Sequence, residues 1–215
     1  MVNFVGNNGL HMKKRSQSVE KTRETRRKII MAALQQFNLY GFAQAKVAGI
    51  AECAGLGKGT IYSYYETKEK LFEGVVDYLI QETYQPIQSA DLENDEAVQS
   101  FILKKMLPGL KNMEQAGRAD IARLVLSEGK CFGDILALYR KKIYEPGLVE
   151  LNKLMKVAKA RGEITSATSE ELAAALIIAP IWLSIIHNGL LLPETPLDVE
   201  KMFEMNVKSL FSHQI

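Results

Sequence analysis

This chain has little of what enzymes, metal proteins and secreted proteins use. Its 215 residues include 2 cysteines and 3 histidines. Cys53 and Cys131 have neither metal-ligand nor redox spacing, and both are expected to be small core hydrophobes of a reduced compartment. His11, His187 and His213 are scattered, and no Ser/His/Asp set, carboxylate pair or metal cluster can be assembled around them. Catalysis is therefore not expected, and neither a cofactor nor a metal is required. The N-terminus lacks the apolar segment and cleavage site of a signal peptide. The longest apolar run, residues 172–186 (LAAALIIAPIWLSII), contains Pro180 and Ser184 and falls short of the ~20 residues a bilayer span needs. A cytoplasmic protein without a membrane partner is the expectation. Strand signals are nearly absent too.

What the chain does have is helical periodicity and an uneven charge. Residues 1–70 carry 12 Lys/Arg against 5 Asp/Glu, a balance of +7, whereas residues 71–215 carry 15 against 20, a balance of −5. A basic front on an acidic body favours a polyanionic partner for the front alone. The first dozen residues show no periodicity and are expected to be unstructured. A first helix starting near residues 19–23 has the apolar stripe Ile30, Ala33, Leu34, Phe37 and ends at Gly41. Val47, Ile50, Ala51 and Ala54 repeat that spacing up to Gly55. Gly57 then serves as N-cap for a short helix over residues 58–64, and Thr67 caps a fourth with Leu71, Val75, Tyr78 and Leu79 on its core face. Residues 89–95 read as a linker, with Asn94 or Asp95 capping the next helix, which Pro108-Gly109 bends or stops. Further helices are expected over 118–128, 134–145, 146–161, 170–188 and 197–212. The fold class is all-α, about nine or ten helices. A flexible segment (1–18) leads into a three-helix DNA-binding domain (19–66) and a larger helical ligand-binding and dimerisation domain (67–215).

Residues 47–71, VAGIAECAGLGKGTIYSYYETKEKL, hold the pattern that suggests function. Two short helices joined by a glycine turn form a helix-turn-helix, in which the second helix enters the major groove and the first braces on the backbone. The second would present Lys58, Thr60 and Tyr64, with Tyr62 facing phosphate or packing on the first helix. Gly57 and Gly59 would let the backbone approach phosphate, and Lys46, Val47 and Lys68 flank the same surface. The run Gly55-Leu56-Gly57-Lys58-Gly59-Thr60 is not a nucleotide loop, because Gly59 follows Lys58 where a Ser or Thr is needed and no strand precedes it.

As a set, Gly41-Phe42, Val47, Ile50-Ala51, Ala54-Gly55, Lys58-Gly59-Thr60-Ile61-Tyr62, Tyr65, Lys68-Glu69 and Leu71-Phe72 resemble the DNA-binding domain of the TetR family of bacterial transcriptional regulators. The resemblance covers roughly residues 25–75. Lys46 and Gly57 stand where the family usually has Thr and Ser, and Tyr65 where Phe is common. Lys46 exchanges a hydroxyl cap for a charge, and Gly57 gives up a side-chain contact to phosphate. The resemblance implies a homodimer through a four-helix bundle made from the last two helices, a double-stranded operator and a small-molecule inducer.

Residue patterns in the C-terminal part agree with that implication. The segment 170–188 is apolar all round and needs cover on every side, which a second subunit supplies together with Val199, Met202, Phe203, Val207 and Leu210 of the last helix. Met106, Arg123, Met155, Trp182 and His187 are candidate ligand contacts, set against ordinary roles as core fillers or ion-pair partners. The expected function is a ligand-responsive regulator, a repressor released from a palindromic operator by a largely apolar molecule. The alternative is an architectural DNA-binding protein with a solid body and no inducer.

Overall fold

The computed structural model describes residues 8–83 and 86–211, with side-chain burial for residues 20–82 and 86–211. Among the described residues all regular structure is helical, and the chain divides into two compact units at Val75/Val76, inside one helix.

The first unit is built from α1 (Asn8–Gln44), α2 (Val47–Ala54), α3 (Lys58–Tyr64) and the start of α4 (Lys68–Thr83). Helix α1 begins well ahead of the expected start near residues 19–23 and takes in residues 8–18; the first seven residues lie outside those described. Periodicity missed this stretch because it has no apolar stripe. Its Lys, Arg, Glu and Gln residues are nonetheless strong helix formers. At Gly41 the backbone turns to φ 72, ψ 172, a region open almost only to glycine, so the helix breaks there as its spacing predicted. Ile29, Ile30, Ala33, Ile50, Ile61 and Leu71 are buried together, and the rings of Phe37, Phe42 and Phe72 form a closed trio with centroids 5.6–5.7 Å apart. Gly74 and Gly49 permit two close approaches: a Cβ at Gly74 would strike the Tyr65 ring, and one at Gly49 would meet Gln36 Oε1 at 2.8 Å.

The second unit holds the rest of α4, a 3-10 turn (Ser89–Asp91), α5 (Val98–Lys111), α6 (Arg118–Glu128), α7 (Gly133–Tyr139), α8 (Glu145–Ala160), α9 (Glu170–Ile186) and α10 (Val199–Phe211). Helix α9 packs against α8, α10 and α6, and α5 against α8 and α10. One expectation fails here and an open alternative is decided. Neither Asn94 nor Asp95 caps α5; the Val98 N–H donates instead to Glu163 Oε2 at 2.7 Å, a carboxylate from beyond α8. Helix α5 also runs through Pro108 to Lys111 rather than stopping there. A third difference is that α7 passes into α8 through a π-turn, Arg140–Tyr144, and α9 continues through another, His187–Leu191. The resulting helical stretch Glu170–Leu191 is 22 residues and, by length and composition, long enough to cross a membrane, contrary to the shorter run read from sequence. In this fold Ala173, Ala174, Ile177, Pro180, Ser184 and Ile185 of that stretch are buried inside the unit.

Candidate nucleic-acid interface and ligand cavity

Helices α2 and α3 meet across a turn whose geometry follows from its glycines. Gly55 adopts φ 65, ψ 34, the left-handed conformation of a helix end, and its N–H donates back to Ala51 and Glu52. Gly57 caps α3 through its carbonyl, which accepts from Thr60 and Ile61 N–H at 2.9 and 3.3 Å. Ile61 anchors α3 in the core, while Lys58, Gly59, Tyr62 and Ser63 are exposed on the opposite side. Thr60 and Tyr64 are half-buried at the edges of that face. Lys58 Nζ sits 5.7 Å from the centre of the Tyr62 ring, so charge and aromatic surface are presented together. A Cβ at Gly59 would meet nothing within 4 Å, so packing inside the unit gives no reason for glycine there. Lys46 is exposed and Val47 half-buried at the start of α2, and no side chain caps that helix.

Two placements depart from the sequence expectation. The Lys68 ammonium, expected on a phosphate, donates to the carbonyls of Phe42 at 2.7 Å, Ala43 at 3.2 Å and Ala45 at 3.3 Å, and lies 4.6 Å from the Phe42 ring centre. It holds the chain where α1 ends, a favourable place for a cation. Ser63, which sequence reasoning passed over, shares the exposed face of α3; its i+4 spacing from Gly59 was the available signal.

In the second unit a cavity of about 440 Å³ lies between α4, α5, α6, the α7–α8 turn and α9. Its walls are mainly aliphatic and aromatic, among them Leu79, Met113, Ile121, Leu151, Ile178 and Ile181. The π-turn shapes one wall. Residues five apart on an α-helix point ~140° apart, but i→i+5 bonding brings them close to one turn. Glu145 N–H donates to Arg140 in this way, and Tyr139 and Tyr144 both pack edge-on against Trp182, at 6.3 and 6.1 Å. Pro146 was the sequence signal for the shift: it offers no N–H to the carbonyl four residues back.

Of the candidate ligand contacts, Met106 and Trp182 line this cavity. Arg123, Met155 and His187 are not among its lining residues. Arg123 is only 14% exposed and is held by Glu114 and Asp120 at 2.6 and 2.7 Å, with Ile185 O at 3.4 Å; the Glu114 bond chiefly raises its pKa above an already high value. Met155 is fully buried in α8, and His187 Nε2 lies 3.1 Å from the Thr195 carbonyl. The adjacent Asn188 bridges both polar groups of the Leu197 backbone, which fixes the connection into α10.

Comparison with known proteins agrees with this geometry. The family described as "Bacterial regulatory proteins, tetR family" matches residues 29–75. The chain is 30% identical over 200 residues to the HTH-type transcriptional regulator TtgR of Pseudomonas putida, covering 89% of this chain and 93% of that one. It belongs to the TetR family. A second relative in the family, the HTH-type transcriptional repressor BepR of Brucella suis biovar 1, is 26% identical over 164 residues, 74% of this chain and 77% of BepR. The fold is shared with FadR from Bacillus subtilis, solved in complex with stearoyl-CoA, at TM-score 0.65 and 20% identity over 86% of this chain and 97% of that one. As a TetR-family member the chain is a DNA-binding transcriptional regulator, and the match falls on the three-helix unit that presents α3.

Proposed function

We propose that this regulator is a homodimeric, cytoplasmic repressor that leaves a palindromic operator when a small, largely apolar molecule enters the second unit. The observation that carries the reading is the cavity of about 440 Å³. That volume is in the range of small-molecule sites, and an architectural protein with a solid body has no use for it. The repressor named in BepR and the stearoyl-CoA held by FadR support the same reading. DNA is contacted by Lys46, Val47, Gly57, Lys58, Gly59, Thr60, Tyr62 and Tyr64, with Ser63 added and Lys68 left to its place under α1.

Helix α4 is the natural lever, since it starts in the DNA-binding unit and its Leu79 and Ile80 line the cavity. Asp77 on the same helix is bound at 2.5 Å by Lys142, beside the cavity residues Ile143 and Tyr144. Inducer and operator then compete through one equilibrium and weaken each other by the same factor, provided the inducer binds the two conformers unequally. The test is selection of bound fragments from the protein's genomic DNA at near-physiological salt. Enrichment of a few palindromic sites is the expected result. Salt-sensitive binding with no enriched sequence would replace this reading with the architectural one.

A further inference from the structure

We propose that α3 reads its half-site through thymine methyl groups and that Tyr62 is the residue that recognises them. The inference rests on the reading that the exposed face of α3 meets the operator bases. Its first support is what that helix lacks. In the major groove, side chains read bases best through set pairings: Arg on guanine, Asn or Gln on adenine, and a carboxylate accepting from cytosine. The α3 sequence KGTIYSY, Lys58–Tyr64, contains no Arg, Asn, Gln, Asp or Glu.

The polar groups that remain offer little. Ile61 is buried, and the Ser63 hydroxyl donates inward to the Thr60 carbonyl at 2.7 Å. Lys58 is a point charge rather than a planar fork, and its Nζ lies 5.7 Å from the centre of the Tyr62 ring. Tyr62 is 42% exposed, and among the described residues that lysine is its one side-chain partner. One turn before it stands Gly59, where a Cβ would meet nothing within 4 Å. This side of α3 is therefore bare backbone beside a projecting aromatic ring, a shape that lets the ring go deep into the groove. The apolar group presented there is the C5-methyl of thymine. Covering it removes apolar surface from water on both sides of the contact. Lys58 then supplies charge beside the ring, not a two-point reading of its own.

The experiment starts from random-sequence duplexes selected on the full-length protein at near-physiological salt. The recovered duplex is made twice, once with thymine and once with deoxyuridine, which keeps the same hydrogen-bonding groups and lacks the methyl. Each methyl is expected to contribute about fourfold, the equivalent of ~0.8 kcal/mol for one buried carbon. A palindrome with one such contact in each half then binds about fifteenfold more weakly as the deoxyuridine form, read by fluorescence anisotropy. An unselected duplex should bind equally in either form. Tyr62→Ala should weaken the thymine duplex and bring the ratio close to one, whereas Tyr62→Phe keeps the ring and should preserve the ratio. A purely structural role for Tyr62 would weaken both duplexes and leave the ratio intact. A wild-type ratio near one, a ratio that survives Tyr62→Ala, or one lost in Tyr62→Phe overturns the proposal and leaves the operator standing. Selection of no sequence overturns both. Should Tyr62→Ala fail to fold, the wild-type ratio and the Tyr62→Phe variant decide the matter.

Discussion

At the scale of single residues, the surface of the first unit separates side chains kept for folding from those kept for a partner. Gly59 has open space where a Cβ would go and stands in a helix, where glycine is less favourable than alanine. Gly59→Ala is therefore expected to leave the melting temperature unchanged or raise stability by up to about 1 kcal/mol, yet to weaken operator binding. A variant with full affinity in a fluorescence-anisotropy titration would remove close backbone approach from the interface. Lys68 predicts the reverse. Its ammonium serves three carbonyls, so Lys68→Met should destabilise the first unit by roughly 1–3 kcal/mol, and unfolding should show the loss before any change in the salt dependence of DNA binding. In the second unit, Glu150 accepts from Lys153, and from the side chain and backbone of Ser89, which together hold its pKa down at about 2. A carboxyl lowered in the folded state stabilises above its unfolded pKa and loses that contribution as pH falls toward the folded value. Thermal melts from pH 5 down to pH 2 should therefore show a decline that Glu150→Gln makes shallower. Equal slopes for both proteins would mean the Ser89–Glu150 tie contributes nothing to folding.

At the scale of elements, the limits of the sequence reading have identifiable physical causes. The bounds of α3, the glycine turn before it, the Thr67 cap of α4 and the bounds of α6 follow from local rules, because each depends on neighbours within a turn. The cap of α5 was illegible because Glu163 arrives from 65 positions away, and no local pattern encodes a partner at that distance. The π-turns were missed since hydrophobic periodicity assumes 3.6 residues per turn throughout. Helix α9 shows what periodicity alone could not separate. Its apolar surface, taken from the sequence as one continuous need for cover, serves three ends: Ala173, Ala174 and Ile177 fill the core, Ile178, Ile181, Trp182 and Ile185 face the cavity, and Leu172, Ala175, Leu176, Ala179 and Leu183 are exposed. At ~100° per residue the exposed set spans about 100° of the helix surface, and the cavity set occupies the adjoining sector. Occupancy of the cavity thus presses on the same helix that offers the outer stripe.

At the scale of the whole molecule, that outer stripe is the surface on which the proposed homodimer would rest. Leu172, Leu176 and Leu183 are 67%, 52% and 49% exposed, and Met205 on α10 is 63% exposed, an apolar array of the kind that marks an interface. The residues first expected to join it from α10 divide differently: Phe203 and Val207 are fully buried within their own chain and Val199, Met202 and Leu210 are half-buried, while Met205, outside that expected set, is exposed. A second copy placing the same stripe against this one is the arrangement a two-fold interface requires, and it would bring two α3 helices to the two halves of a palindrome. Leu176→Arg combined with Leu183→Arg should leave helix content and melting of the chain largely intact, because both side chains point away from its core. Sedimentation should then report a species near the chain mass of 24.1 kDa, and operator affinity should fall by orders of magnitude as the two half-sites no longer share one binding event. Phe203→Ala provides the contrast: it empties a buried site, costs roughly 3–5 kcal/mol of fold stability, and acts on unfolding before it acts on assembly. A double arginine variant that still sediments as a dimer would move the interface off α9, and with it the link between cavity occupancy and the partner subunit.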